Sequence, residues 1–192
     1  VALLCAAARL PSARFVGLDR DLDMTALARR SLALNGQSGR VEIKDGDVGA
    51  LPPDWENRFD VVFSNPPFFE PFQTAPPGAG KDAAYLSDIG LEAWVKAMIF
   101  AAKPKAPVVL IHRAAELARI LSILDSRAGE ITVRPIQPYP GAEAKRVLVK
   151  ARKGLRRGPL KLLSAKILQD SPGGPSTTQT AAALAGGALN WT

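Results

Sequence analysis

Residues 59–69 read Phe-Asp-Val-Val-Phe-Ser-Asn-Pro-Pro-Phe-Phe. The apolar run 59–63 predicts a strand, and it leads straight into Asn65-Pro66-Pro67. Two consecutive prolines have fixed φ and no N–H. Each also drives the residue before it into an extended conformation. Asn65 and Pro66 are therefore held rigidly at a strand end, where the Asn65 side-chain oxygen and the Pro66 carbonyl become two acceptors in fixed positions. An aromatic amine such as adenine N6 is a poor nucleophile because its lone pair is delocalised into the ring. Two acceptors that take its two N–H bonds favour a pyramidal nitrogen with a localised lone pair, and positioning and preorganised electrostatics do the rest. Such chemistry needs no metal and no strong base. Phe68 can stack on a flat substrate and Phe69 can pack beneath or beside it; base–aromatic stacking is worth about 1–3 kcal/mol. The plainer alternative is a proline-rich turn after a strand, since Asn-Pro often starts turns.

Outward from this stretch the chain alternates helix and strand. Residues 1–9 read as a helix ended by Pro11. A short strand at 14–18 closes on Asp19. Asp21 or Asp23 can cap the next helix, in which Met24, Leu27, Ala28 and Leu32 fall on one face and Gly36 supplies the stop. A second strand at 40–44 ends on Asp45-Gly46-Asp47. Beyond the motif, 70–81 holds three prolines and two glycines and reads as a loop. Leu91, Trp94, Val95, Met98, Ile99 and Ala102 then mark an amphipathic helix stopped by Pro104. A strand at 108–111, a helix carrying Leu117, Ile120, Leu121 and Leu124, and an antiparallel pair at 131–136 and 146–149 complete the pattern. This order predicts an α/β, mostly parallel, doubly wound sheet with an antiparallel end. Ligands bind such sheets outside the carboxyl ends of the strands. The tail after Lys153, rich in Gly, Ser, Thr and Ala, gives no clear assignment.

Two acids stand at strand ends. An acid in the position of Asp19 can bind both ribose hydroxyls of a nucleotide-like cofactor; a helix cap is the alternative, one that Asp21 or Asp23 can supply instead. Asp47 can accept from a cofactor adenine amino group, or lie in a solvated turn.

A length of 192 residues suggests one domain, and 47% hydrophobic content is enough for a core. No charge-free apolar run is long enough for a membrane span. The apolar opening 1–10 is short and has no basic region before it, so a signal peptide is not expected. The single cysteine, Cys5, excludes an internal disulfide and a cysteine metal site and reads as inert in a helix. The single histidine, His112, reads as structural, and Trp55 and Trp94 as packing residues. A net charge of +7 favours a polyanionic partner such as RNA or DNA. From 150 to 169 there are seven basic residues (Lys150, Arg152, Lys153, Arg156, Arg157, Lys161 and Lys166) and no acidic one. They can contact RNA phosphates or form a solvated face.

The order Leu18-Asp19, Gly46-Asp47-Val48, then Asn65-Pro66-Pro67-Phe68 resembles the class I methyltransferases that act on amino nitrogens. The doubled aromatic Phe68-Phe69, the run Arg146-Val147-Leu148-Val149-Lys150-Ala151-Arg152-Lys153-Gly154 and Pro159-Leu160 are similar to the bacterial valine-tRNA adenine-N6 methyltransferases. The resemblance spans nearly the whole chain. It implies a Rossmann-like class I fold and S-adenosylmethionine as cofactor. Asp19 would hold the ribose, Asp47 the adenine, and Asn65 would stand at the cofactor as well as the substrate. Asn65, Pro66, Pro67 and Phe68 would form the catalytic turn, with Phe68, Phe69, Arg152, Arg156 and Arg157 on the substrate. It further implies N6-methylation of an adenine in RNA, expected to be tRNA, by a cytoplasmic monomer without a metal or a membrane. Methylation of a protein glutamine amide, or an inactive domain that only binds RNA, are the competing readings. The family opens with a strand and a glycine-rich loop around the methionine part of the cofactor. Val1 begins just after that loop should be, so the chain is expected to be N-terminally truncated: an incomplete catalytic domain over 1–154 and a C-terminal extension over 155–192.

Overall fold

The computed structural model describes residues 2–67, 89–156 and 158–188. The chain divides into two compact units, Val1–Pro52 and Pro53–Thr192.

The first unit is built from α1 (Ala2–Arg9), β1 (Phe15–Asp19), α2 (Leu22–Leu34) and β2 (Val41–Asp45). The two strands pair in parallel, Phe15 opposite Val41 and Asp19 opposite Asp45, so both carboxyl ends lie at one edge. Ala7, Leu32 and Val41 form the core, with Leu3, Leu4, Phe15 and Ile43 packed against it. Gly17 sits where a Cβ would stand 2.7 Å from Leu3 Cδ2 and 3.0 Å from Ile43 Cδ1, so its bareness lets the α1 side chain close onto the strand. Arg40 donates to the carbonyls of Ala7, Leu10 and Ala13, which ties the end of α1 and the turn after it to the residue before β2.

Asp21 is the cap of α2, accepting from the Asp23 and Met24 amides. The buried face of α2 is not the expected one. Thr25 and Leu32 are buried, while Met24 and Leu27 are exposed. Thr25 is tolerated inside because its hydroxyl donates to the Leu22 carbonyl at 3.0 Å. Beside it, Arg29 reaches the Ile43 carbonyl and the Asp45 carboxylate at 2.8 Å. The Thr25 hydroxyl, then Arg29, hold that exposed carboxyl below its usual range. A polar tie between helix and strand thus takes the place of part of the expected apolar contact.

The second unit contains β3 (Val62–Ser64), α3 (Leu91–Ala101), β4 (Pro107–Arg113), α4 (Leu117–Asp125), β5 (Ala128–Gln137), β6 (Arg146–Lys153), β7 (Lys161–Leu162), β8 (Lys166–Ile167) and α5 (Thr178–Leu184). Its sheet runs β3-β4-β6-β5-β7, with β8 also on β5. β3 and β4 are parallel, and β6 lies antiparallel between β4 and β5, as the antiparallel end predicted. Val95 and Met98 of α3 and Ile120 and Leu124 of α4 bury against Val108, Leu110, Val133, Val147 and Val149. This alternation of inward residues along β4 and β6 is what makes one sheet face a core.

Three details differ from expectation. The strand predicted at 59–63 is short and late. Phe59 is pinned instead by the end of α3, its amide donating to the Ala101 carbonyl and its carbonyl accepting from Lys103. The tail is ordered in part: β7 and β8 both run parallel to β5. It crosses back over Gly129, where a Cβ would lie 2.2 Å from the Arg156 carbonyl oxygen. Cys5 is exposed rather than packed. Among the described residues no helix is long and apolar enough to cross a membrane.

Candidate functional site

β3 delivers Asn65 at its carboxyl end, paired to β4 through Ser64 opposite Leu110. Asn65 is exposed, Pro66 is buried and Pro67 is partly buried. Among the described residues neither the Asn65 side chain nor the Pro66 carbonyl has a hydrogen-bond partner. The turn is fixed from both sides. On one side, the Trp94 indole of α3 donates to Ser64 Oγ at 2.9 Å. Trp94 is therefore more than a packing residue: its ring leans on the core while its N–H anchors the residue before Asn65.

On the other side stands His112 of β4, only 2% exposed. Its Nε2 lies 3.3 Å from the Pro67 carbonyl oxygen. A carbonyl only accepts, so Nε2 carries the hydrogen in this bond. Burial pushes the imidazole below its ordinary pKa; the Pro67 carbonyl and Glu116 oppose that shift, and Arg113 and Arg119 add to it. The ring is thus neutral in the folded protein at pH 7. An unfolded histidine takes up a proton below about pH 6.5. The unfolded chain therefore binds more protons than the folded one between that value and the lower folded pKa, so stability falls as pH drops through this window. Urea unfolding at pH 7 and pH 5 should show that loss in the wild type, and a smaller one in His112→Phe. Equal losses would mean that the imidazole is not the source.

The acids of the first unit occupy the carboxyl edge of its parallel pair. Asp19 is exposed and its Oδ1 accepts from the Asp21 amide at 3.1 Å, leaving Oδ2 uncommitted among the described residues. Because Asp21 supplies the α2 cap, Asp19 is not needed for it. Asp47 caps a short 3-10 turn, accepting from Gly49 at 2.7 Å, and its Oδ2 stands 3.9 Å from Arg20. The Gly46 amide donates to the Asp19 carbonyl, which ties the two acid-bearing ends together. Asp19 stands opposite Asp45, two residues before Asp47, and neighbouring strands are about 4.8 Å apart, so both acids lie at one edge of the pair.

The basic tail does not form one patch. Arg152 lies opposite Pro107, at the other end of β4 from the Asn65 turn. Its Nε donates to the Lys105 carbonyl at 2.7 Å and it pairs with Glu130 at 3.4 Å. Lys153 donates to Asn57 Oδ1 and to the Phe100 and Ala102 carbonyls, and burial lowers its pKa. Both are engaged in the fold. Arg156 is exposed. Lys166, carried back along β5 toward the site end, donates to Gln179 at 2.9 Å. Phe68, Phe69, the loop at 70–81 and Arg157 lie outside the described residues.

Sequence and structure comparisons define a class. Residues 4–78 match a family described as RMKL-like, methyltransferase domain. A crystal structure from Agrobacterium tumefaciens, described as a predicted O-methyltransferase, is 26% identical and superposes with a TM-score of 0.77 over 97% of this chain and 84% of its own. A putative class I S-adenosylmethionine-dependent methyltransferase from Listeria monocytogenes, 16% identical, shares the fold with a TM-score of 0.61 over 98% of this chain and 59% of its own. The chain thus shares its fold with class I S-adenosylmethionine-dependent methyltransferases, and its residues 4–78 match a methyltransferase family.

Within that class it is similar to tRNA1(Val) (adenine(37)-N6)-methyltransferase from Porphyromonas gingivalis, with 30% identity over 156 residues. That match covers 76% of this chain and 58% of the relative, so the chain spans less than two thirds of the relative's length. A second strain's protein of the same name is 37% identical over 78 residues, 38% of this chain and 30% of its own.

Proposed function

We propose that this protein transfers a methyl group from S-adenosylmethionine to the N6 amino group of an adenine in RNA, with tRNA in the cytoplasm as the substrate. The observation that carries the reading is the rigid Asn65-Pro66-Pro67 turn. Its third carbonyl is taken by His112, and its Asn65 oxygen and Pro66 carbonyl have no partner among the described residues. Two uncommitted acceptors on adjacent residues suit an exocyclic amine, which has two N–H bonds to offer. The similarity to the Porphyromonas gingivalis protein, whose name gives adenine N6 in tRNA, supports the same target.

The cofactor supplies an electrophilic methyl group. The chain's own residues supply the rest. Asp19 and Asp47 would hold the ribose and the base of the cofactor. Asn65 and the Pro66 carbonyl orient the amine and draw its hydrogens out of the ring plane, so the lone pair is directed rather than spread into the ring. Phe68 is proposed as the ring on which the flat base would stack. No residue has to act as a strong base, because the nitrogen sheds its proton readily once it carries the methyl group. The test is equilibrium binding of labelled S-adenosylmethionine, with transfer to a tRNA transcript, measured on this chain and on a version extended upstream. Labelled tRNA is the expected result, and label on a protein glutamine instead of RNA would overturn the reading.

tRNA affinity should weaken steeply with salt. Because Arg152 and Lys153 are tied into the fold, the phosphate contacts of the 150–166 stretch are assigned to Arg156 and Arg157. Replacing those two with Ala should lower the slope of log affinity against log salt by about 0.7–0.9 for each lost contact. An unchanged slope would make them part of a solvated surface.

A further inference from the structure

We infer that His112 is a positioning residue for methyl transfer: by holding the Pro67 carbonyl it sets the direction of the Asn65 oxygen and the Pro66 carbonyl, and it keeps a third acceptor out of the site. This deepens the amino-methylation reading and rests on it.

The argument starts from what the turn lacks. Pro66 and Pro67 have no N–H, so neither can donate a backbone hydrogen bond to fix the turn. Its carbonyls remain, and a carbonyl beside an amine-binding site is a competing acceptor. A target amine offered three acceptors has more than one way to sit, and only one of them aims its lone pair at the methyl group. A donor from elsewhere in the fold is therefore needed to take one carbonyl and lock the turn. His112 is placed to do this. It sits two residues beyond Leu110, the partner of Ser64 in the β3–β4 register, and so beside the chain as it leaves β3. Its neighbour on the other side is Val147 of β6, in the middle of the sheet. The imidazole is buried, so its polar atoms need partners, and the bond to Pro67 supplies one for Nε2. The bond joins His112 to a residue 45 positions away in sequence, on the turn that carries Asn65. The Trp94–Ser64 bond secures the turn before Asn65, and His112 secures it after.

The chain has a single histidine, so its imidazole nitrogens can be read without assignment ambiguity. The test pairs nitrogen NMR of that ring with steady-state kinetics of the natural protein and of His112→Phe and His112→Gln. Phe fills the volume without a donor; Gln places an amide nitrogen near the position of Nε2. The wild type should show the Nε2–H tautomer at neutral pH. His112→Phe should shift the Asn65 side-chain amide resonances and lower kcat about 10- to 100-fold, the range expected for a small misplacement of reacting groups. The Kd for S-adenosylmethionine should change less than about twofold, and His112→Gln should recover most of the rate. An Nδ1–H tautomer would overturn the inference. So would His112→Phe with wild-type kcat and unmoved Asn65 resonances, or a folded His112→Gln as slow as the Phe variant. A wild type that methylates no RNA would overturn the function reading instead, and the Asn65 resonances would then decide the clamp on their own.

Discussion

Asn65→Ala is expected to abolish most methyl transfer while leaving cofactor affinity nearly unchanged. The substitution removes one of two acceptors and leaves the Pro66 carbonyl, the Trp94–Ser64 bond and the His112–Pro67 bond in place. The turn therefore survives, and what is lost is the second contact that holds the amine. Removing one preorganised polar contact of this kind lowers kcat on the order of 100-fold or more. Asn65 is exposed and has no partner in the fold among the described residues, so unfolding midpoints should stay within the range of an ordinary surface substitution. Single-turnover transfer and equilibrium cofactor binding on the same preparation check both halves. A loss of cofactor binding as large as the loss of rate would place Asn65 on the cofactor alone.

Asp19→Ala should show the reverse pattern. Asp19 ends β1 at the carboxyl edge of a parallel pair, and its Oδ2 is uncommitted among the described residues. Hydrogen bonds to a charged group are worth about 1.5–3 kcal/mol, which corresponds to roughly 10- to 100-fold in cofactor affinity. Saturating cofactor should restore most of the rate, because the amine acceptors are untouched. The fold should tolerate the change, since Asp21 and not Asp19 caps α2. Isothermal titration with S-adenosylmethionine measures the effect. Unchanged affinity would leave Asp19 as a turn residue that accepts from the Asp21 amide and nothing more.

Much of this was legible in the residues. Periodicity placed β1, β2, both core helices of the second unit and the antiparallel β5–β6 pair, because each has enough apolar positions to define a face. The prolines at 66 and 67 announced a rigid strand end without any tertiary information. Other features were hidden for physical reasons. Which carbonyl of the turn is occupied depends on His112, and the tie before Asn65 depends on Trp94 30 residues later; no local pattern encodes either. A histidine inside an alternating apolar strand and a tryptophan at the edge of a helix face were the available signals. The α2 face misled because an internal hydrogen bond lets Thr25 go inside while Met24 and Leu27 go out. β7 and β8 have two residues each, too short for any period to show. The basic tail looked like one patch because sequence lists its charges side by side; the β6 register and the return along β5 distribute them over both ends of the sheet.

The central claim is chemical: the Asn65 turn is built for an amino nitrogen, whereas the Agrobacterium tumefaciens neighbour is described as a predicted O-methyltransferase. The most direct measurement is the identity of the methylated atom. tRNA incubated with the protein, extended upstream if this chain alone does not bind cofactor, and with methyl-labelled S-adenosylmethionine is digested to nucleosides and resolved by mass spectrometry. Label recovered in N6-methyladenosine, and absent from the product of the Asn65→Ala variant, is the predicted result. Label on a ribose or other hydroxyl oxygen, retained by that variant, would contradict it.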